Sequence, residues 1–207
     1  MMNIITIGKK KGNYYSIYLN DDFIGFFHIE TIKYFKIKNG KSYDDSHIEK
    51  FKHDGQIRYA KDRALFLLSY RDYSEKELIQ KLQKNVSTEI ATLTVERMKE
   101  LNLIDDKKFA KNLANKLILN KGRGKKRVLY EMELKGIKRE VALEAIDSIQ
   151  FNSIDQISET IRKKYADKLN DFKSKNKVIA AFLRKGHSYS DIKTAIDIVK
   201  QEMETKY

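Results

Sequence analysis

Leu78-Ile79-x-x-Leu82, Val128-Leu129-x-x-Met132 and Val178-Ile179-x-x-Phe182 are one apolar pattern written three times, at intervals of 50 residues. The i, i+1, i+4 spacing places all three side chains of each triplet on one face of a helix. The match extends downstream, where Lys135-Gly136 returns as Lys185-Gly186 and Ala145-Ile146 as Ala195-Ile196. It also extends upstream, where Ala64, Leu67 and Leu68 are followed by Ala114, Leu117 and Ile118. A period of this size in a helical sequence marks tandem supersecondary units that complete one another's cores.

Around these triplets each unit reads as three helices. In the first, a pattern begins at Ile48 and Phe51, is interrupted near Asp54-Gly55, and resumes from Tyr59 to Tyr70. Ser74 and Glu77 have the spacing of a capping box for the helix of Leu78 and Leu82, with Asn85 as its left-handed terminator. Ser87 or Thr88 caps a third helix with apolar positions Ile90, Leu93, Val95, Met98 and Leu101. In the second unit, Asp105-Asp106 caps Phe109–Leu119, Gly122 and Gly124 bend the chain, and helices follow over 125–135 and 139–149. The third unit is predicted as helices over 153–169, 171–185 and from Ser188 or Ser190 to about Glu204. Ahead of the repeats, Ile5 and Ile7 alternate, Tyr14–Leu19 is rich in tyrosine and β-branched residues, and Phe23–Phe27 is apolar; turns lie at 10–13 and 20–22. A short helix over Thr31–Phe35 ends at Asn39-Gly40.

The expected fold is mainly α: three tandem three-helix repeats in an elongated, curved array, preceded by a three-stranded antiparallel β-meander. The boundaries are 1–43 for the meander, then 44–104, 105–151 and 152–207 for the repeats, with no flexible linker between them. Alternation splits the aromatics of the meander (Tyr14, Tyr15, Tyr18, Phe23, Phe26, Phe27) between a buried and an exposed face. Ordinary packing on the first helices and an edge strand open to a protein partner are both compatible with that pattern.

Composition narrows the chemistry. Cysteine and proline are absent, so there is no disulfide framework and no thiol chemistry, which suits a reducing cytoplasm. His28, His47, His53 and His187 are scattered without metal-ligand spacing. Apolar runs are too short to cross a bilayer, and the N-terminus lacks a signal-peptide core. The expectations are a soluble cytoplasmic monomer, no membrane, no metal, no cofactor and no catalytic constellation. A formal charge of +13 calls for a polyanionic or acidic partner. From Lys121 to Arg139 there are eight basic residues against two acidic ones, and from Arg162 to Lys185 nine against two. Those two stretches account for the whole excess.

Four motifs in order resemble the RecX family, modulators of the RecA recombinase. Ala64-Leu65-x-x-Leu68-x-x-Arg71-x-x-Ser74-x-x-Glu77-Leu78-x-x-Lys81-Leu82 is similar to the signature of its first repeat. Leu101-x-x-Ile104-Asp105-Asp106-x-x-Phe109-Ala110 resembles its second motif. Gly124 before the basic helix, and Leu134-Lys135-Gly136-Ile137, resemble its glycine turn and "KGI" element. The likeness covers about residues 58–150 closely and the third repeat more loosely. It departs at Asn85, where a lysine–glycine pair is usual and the repeat is about one residue short. The resemblance implies a cytoplasmic, non-enzymatic protein that binds the RecA–DNA filament, inhibits strand exchange and ATP hydrolysis, and so modulates recombination, DNA repair and the SOS response.

Candidate residues for contact with DNA or the filament are Arg71, Lys121, Arg123, Lys125, Lys126, Arg127, Arg162, Lys163, Lys164, Lys173 and Lys177. Lys121–Arg127 is the strongest group, because glycine-exposed amides and five cations opening a helix make an anion site. It does not fit the phosphate-loop pattern G-x-x-x-x-G-K-[ST]. A merely solvated charged face is the competing reading. For Arg71 the competing role is an ion pair with Glu75 or Glu77, for Tyr165 packing rather than base stacking, and for Asp105-Asp106 capping rather than Mg²⁺ binding. Lys173 and Lys177 share a helix face while Lys175 points away. The rival function is a basic helical repeat that binds single- or double-stranded DNA, or RNA, with no recombinase partner.

Overall fold

The computed structural model describes residues 3–205. They form a four-stranded antiparallel sheet and ten α-helices. Contacts divide the chain into two compact units, 1–105 and 106–207.

In unit 1, strands β1 (Asn3–Lys11), β2 (Tyr14–Leu19) and β3 (Asp22–His28) make the predicted meander. A fourth strand, β4 (Ser42–Tyr43), joins β1, giving the order β3-β2-β1-β4. Two residues are too few for an alternation signal, so β4 is invisible to a periodicity reading. It is tied down by Gly40 N–H donating to Ile5 O at 2.8 Å and Ile7 N–H to Asn39 Oδ1 at 2.8 Å. Asn39-Gly40 therefore serves the sheet and does not end the preceding helix. Helix α1 (Ile29–Tyr34) stops earlier, at Lys36, whose φ is +52°.

Helix α2 (Asp45–Leu68) runs without the break expected at Asp54-Gly55. Its first half closes the sheet core: Phe51 stacks on Phe27 with centroids 4.3 Å apart, beside Ile5, Ile17, Ile32 and Ile48. Its second half gives Ala60, Ala64 and Leu67 to a separate core with α3 (Glu75–Leu82) and α4 (Thr88–Glu100). Ser74 and Ser87 cap these two helices as read from sequence. Leu93, expected inward, is 53% exposed, and Thr94 is buried instead.

Unit 2 repeats that theme twice. One core joins α5 (Asp106–Asn115), α6 (Lys125–Leu134) and α7 (Arg139–Asp147). The other joins α8 (Ser153–Lys164), α9 (Phe172–Arg184) and α10 (Tyr189–Glu204). In all three repeats the first and third triplet residues are fully or almost fully buried: Leu78 and Leu82, Val128 and Met132, Val178 and Phe182. The middle ones, Ile79, Leu129 and Ile179, pack at the margin of the same cores.

Two expected helices change form. Past α5, Lys116–Asn120 is a π-helical turn. It carries the adjacent Leu117 and Ile118 inward together, at 2% and 0% exposure. Helix α8 ends at Lys164, before the predicted end at Leu169; a 3₁₀ turn over Ala166–Lys168 then drops Leu169 into the core.

The helix ends explain the short first repeat. After α6 and α9, Gly136 (φ +83°) and Gly186 (φ +89°) turn left-handed. Ile137 then donates to Met132 O and His187 to Phe182 O, the Schellman pattern. After α3, Asn85 is not left-handed, and Val86 donates directly to Leu82 O at 3.2 Å. One residue is dropped, yet Val86, Ile137 and His187 reach the same buried place at 8%, 3% and 3% exposure. In the first repeat the left-handed asparagine is Asn102 (φ +55°), at the end of α4.

Candidate nucleic-acid interface

The two repeats of unit 2 meet backbone to backbone. Gly124 N–H donates to Lys185 O at 2.9 Å and Lys126 N–H to Gly186 O at 3.3 Å. A methyl group on Gly124 would lie 2.3 Å from the Gly186 carbonyl, and one on Gly186 2.3 Å from Arg127 N. Glycine at both positions is what lets the chains touch. Gln156 Nε2 donates to Ile118 O at 2.8 Å, a carbonyl at the π turn. His187 spans the seam, with Nε2 3.1 Å from Gly122 O and Nδ1 3.4 Å from Ser153 Oγ. Burial pushes the His187 imidazole below its usual range, and nearby Lys185 adds to this against the favourable Gly122 carbonyl. The neutral ring with Nε2 protonated satisfies both partners.

This geometry revises the expected anion site. The amides of Gly124 and Lys126 at the start of α6 are spent on carbonyls of the next repeat, so they do not face a phosphate. The glycines build the seam; any anion contact falls to side chains.

Of the eleven candidate cations, five are held by acids of their own unit. Arg71 bonds Glu77 at 3.1 Å and Asp72 O at 2.8 Å, and lies 3.6 Å over the Tyr73 ring. Lys125 pairs with Asp147 at 2.9 Å and Arg127 with Glu131 at 2.8 Å. Arg162 makes two 2.7 Å bonds to Glu202, clamping α8 to α10, and Lys163 pairs with Glu159 one turn away. The Lys125 and Lys163 pairs are exposed and worth little, so either cation can exchange its partner cheaply. Among the described residues Lys121, Lys126, Lys164, Lys173 and Lys177 make no ion pair.

Arg123 and Lys164 both act on Lys185. The Lys185 ammonium is pushed below its usual value by burial first, then by Lys164 and Arg123. It also lies 5.3 Å over the Phe182 ring. Arg123 Nε is buried with no hydrogen-bond partner among the described residues. A Lys185 charge disfavoured by burial and by two like charges is relieved by an anion, which a phosphate supplies. Tyr165 packs on Phe182 with centroids 6.2 Å apart, the packing role. No group of acids or histidines that could hold a metal occurs among the described residues, and none of their helices is long and apolar enough to cross a membrane.

Lys185 and His187 are absent from the residues chosen by sequence. The signal is in the period: moving back 50 residues puts His187 on Ile137, so a polar ring occupies a slot that is apolar in both other repeats.

Comparison with known proteins places this architecture. Residues 60–98 match the family model described as RecX, first three-helix domain, and residues 153–196 that of RecX, third three-helix domain. The regulatory protein RecX of Streptococcus sanguinis is 28% identical over 196 residues, covering 94% of this chain and 76% of that protein. Those of Streptococcus pyogenes serotype M5 and Streptococcus agalactiae serotype V are 29% and 26% identical over 95% and 97% of this chain, and 76% and 78% of their own lengths. A crystal structure of regulatory protein RecX superposes with a TM-score of 0.64 at 22% identity, over 95% of this chain and 100% of that one. RecX from Lactobacillus salivarius gives 0.63 at 23%, over 70% of this chain and 97% of that one. Two of the RecX family's three-helix domains are thus matched in order, and curated RecX proteins are similar to this chain along nearly its whole length.

Proposed function

We propose that this chain is a regulatory protein that binds the recombinase–DNA filament of a RecA-type recombinase and lowers its strand exchange and ATP hydrolysis, so modulating recombination, repair and the SOS response. The observation that carries this reading is Lys185 standing in the field of Lys164 and Arg123, with no acidic partner for any of the three among the described residues, beside the backbone seam that joins repeats 105–151 and 152–207. Lys121, Lys126, Lys173 and Lys177, all exposed, add cations to the same two repeats. Phosphates of filament DNA fit such a surface because binding releases counterions without asking for a particular base sequence. A rigid pair of repeats suits a helical filament, since each repeat meets a successive protomer. In this reading the chain acts in the cytoplasm, as a monomer, without a cofactor or catalytic step of its own.

The test is ATP hydrolysis by a RecA recombinase on single-stranded DNA, titrated with this protein and repeated with excess DNA. Inhibition at substoichiometric protein, unrelieved by extra DNA, is the expected result. Inhibition only at DNA-saturating amounts supports the second reading, a basic repeat that competes for the strand, which the +13 charge favours. No inhibition contradicts the filament reading.

A further inference from the structure

The sheet face opposite the Ile5, Ile17 and Phe27 core carries the second set of meander aromatics. Tyr18, Phe23, Phe26, Tyr59, Tyr14 and His28 form a continuous chain of ring contacts, with centroids 5.6, 5.3, 6.2, 5.5 and 5.2 Å apart in that order. Tyr59 comes from α2, which packs along β3. At the Tyr14 end this aromatic wall opens into a groove of about 490 Å³, lined by Lys11, Tyr14, Phe26, Tyr59, Arg63 and Phe66 among others. Phe66 is 49% exposed, and the Arg63 guanidinium lies 5.2 Å over its ring.

The charges at the groove are arranged to leave the cations free. Asp62 is the acid in its lining, and Asp62 Oδ2 already accepts from Tyr14 O–H at 2.5 Å. Burial and this bond push the Tyr14 phenol well up, while Arg58 opposes the shift. Lys11 and Arg63 stand at the groove, and the field of Arg58 reaches it.

We propose that this groove takes an unstacked base of a single-stranded nucleic acid, held against the Phe66 and Tyr59 rings, with the adjoining phosphates on Lys11 and Arg63. Flat rings beside point cations match a base and its phosphate, and stacking tolerates any base. An acidic peptide is the weaker fit. A peptide added as a strand pairs through main chain at a sheet edge, whereas this groove offers ring faces and cationic side chains. The site lies in unit 1, and the proposal does not depend on the recombinase.

The experiment uses the full chain carrying Arg123→Gln, Lys164→Gln and Lys185→Gln, so that the repeats of unit 2 contribute little affinity. The probes are a single-stranded oligonucleotide containing 2-aminopurine and an abasic oligonucleotide of equal length. Binding is expected to quench 2-aminopurine, and Phe66→Ala to weaken that binding by about 5- to 100-fold. Phe66→Trp restores it, binding of the abasic strand stays unchanged in both variants, and Arg63→Gln weakens both probes. Absence of quenching overturns the proposal. So does an equal loss of the base-bearing and abasic strands in Phe66→Ala, or Phe66-dependent capture of a phenylalanine-containing polyglutamate peptide by a protein that leaves the oligonucleotide unquenched. Quenching in a protein that fails to inhibit the recombinase leaves this site standing and removes only the filament reading.

Discussion

Gly55 in unit 1 and the Gly124–Gly186 pair in unit 2 have one physical role and different neighbours. Gly55 sits in mid-helix, where glycine costs about 1 kcal/mol relative to alanine. The reason is the Phe27 ring, whose carbons would lie 2.2 and 2.3 Å from a methyl group at that position. At Gly124 the obstacle is main chain, the carbonyl of Gly186 at 2.3 Å. A ring on a single side chain can tilt away, whereas main chain whose successive carbonyls, Lys185 O and Gly186 O, each accept a cross-repeat hydrogen bond cannot. Close approach, not turn geometry, decides both positions: Gly55 is inside a helix, and Gly124 has an ordinary φ of −74°.

The largest expected effect is therefore Gly124→Ala, which should cost unit 2 about 3 kcal/mol or more through overpacking and the loss of two seam hydrogen bonds. Denaturant unfolding followed by amide exchange at Lys126 checks this; a loss under about 0.5 kcal/mol would show that the seam yields. Gly55→Ala should cost about 1–2 kcal/mol, since overpacking exceeds the helix-propensity gain. Adding Phe27→Leu should return part of that loss in a double-mutant cycle, and strict additivity would mean that the ring is not the obstacle.

His187 sharpens the comparison through pH. Its folded pKa lies below the unfolded value of 6.5, so the neutral ring stabilises the seam above that value. Stability is lost as pH falls from about 6.5 through the lower folded pKa, and each tenfold preference of the fold for the neutral ring is worth about 1.4 kcal/mol. His187→Ile, the residue type of the equivalent slot in the second repeat, should flatten the acid side of the stability profile. A profile unchanged by this substitution would assign the acid loss to other groups. The smallest effect is at Arg71. Its side chain is 47% exposed, so Arg71→Ala should cost about 0.5–1 kcal/mol. It should leave recombinase inhibition intact; lost inhibition with an unchanged melt would return Arg71 to the interface.

Sequence is most legible where a rule depends on neighbours along the chain. The triplets locate the repeat cores, and Ser74, Ser87, Asp171 and Ser188 each cap the helix they precede. It is least legible where the cause lies across space. Gly55 resembles a helix break because the Phe27 ring that needs it is 28 positions earlier in the chain. Lys121–Arg127 reads as an anion site because the carbonyls of Lys185 and Gly186, which take the Gly124 and Lys126 amides, belong to another repeat. Charge counting finds the two basic stretches, but five of the eleven chosen cations prove to be paired within their own unit. Lys185 escapes notice because the Lys-Gly pair reads only as a helix stop.

In the proposed function, Arg123, Lys164 and Lys185 beside the seam act on the recombinase filament. The most direct measurement is inhibition of RecA ATP hydrolysis by the Arg123→Gln/Lys164→Gln/Lys185→Gln variant, with its thermal melt recorded alongside. Inhibition is expected to weaken at least about tenfold at moderate salt, with a melt no lower than that of the parent, because the Lys185 charge disfavoured by its neighbours has been removed. Full inhibition by a variant that melts like the parent would contradict it.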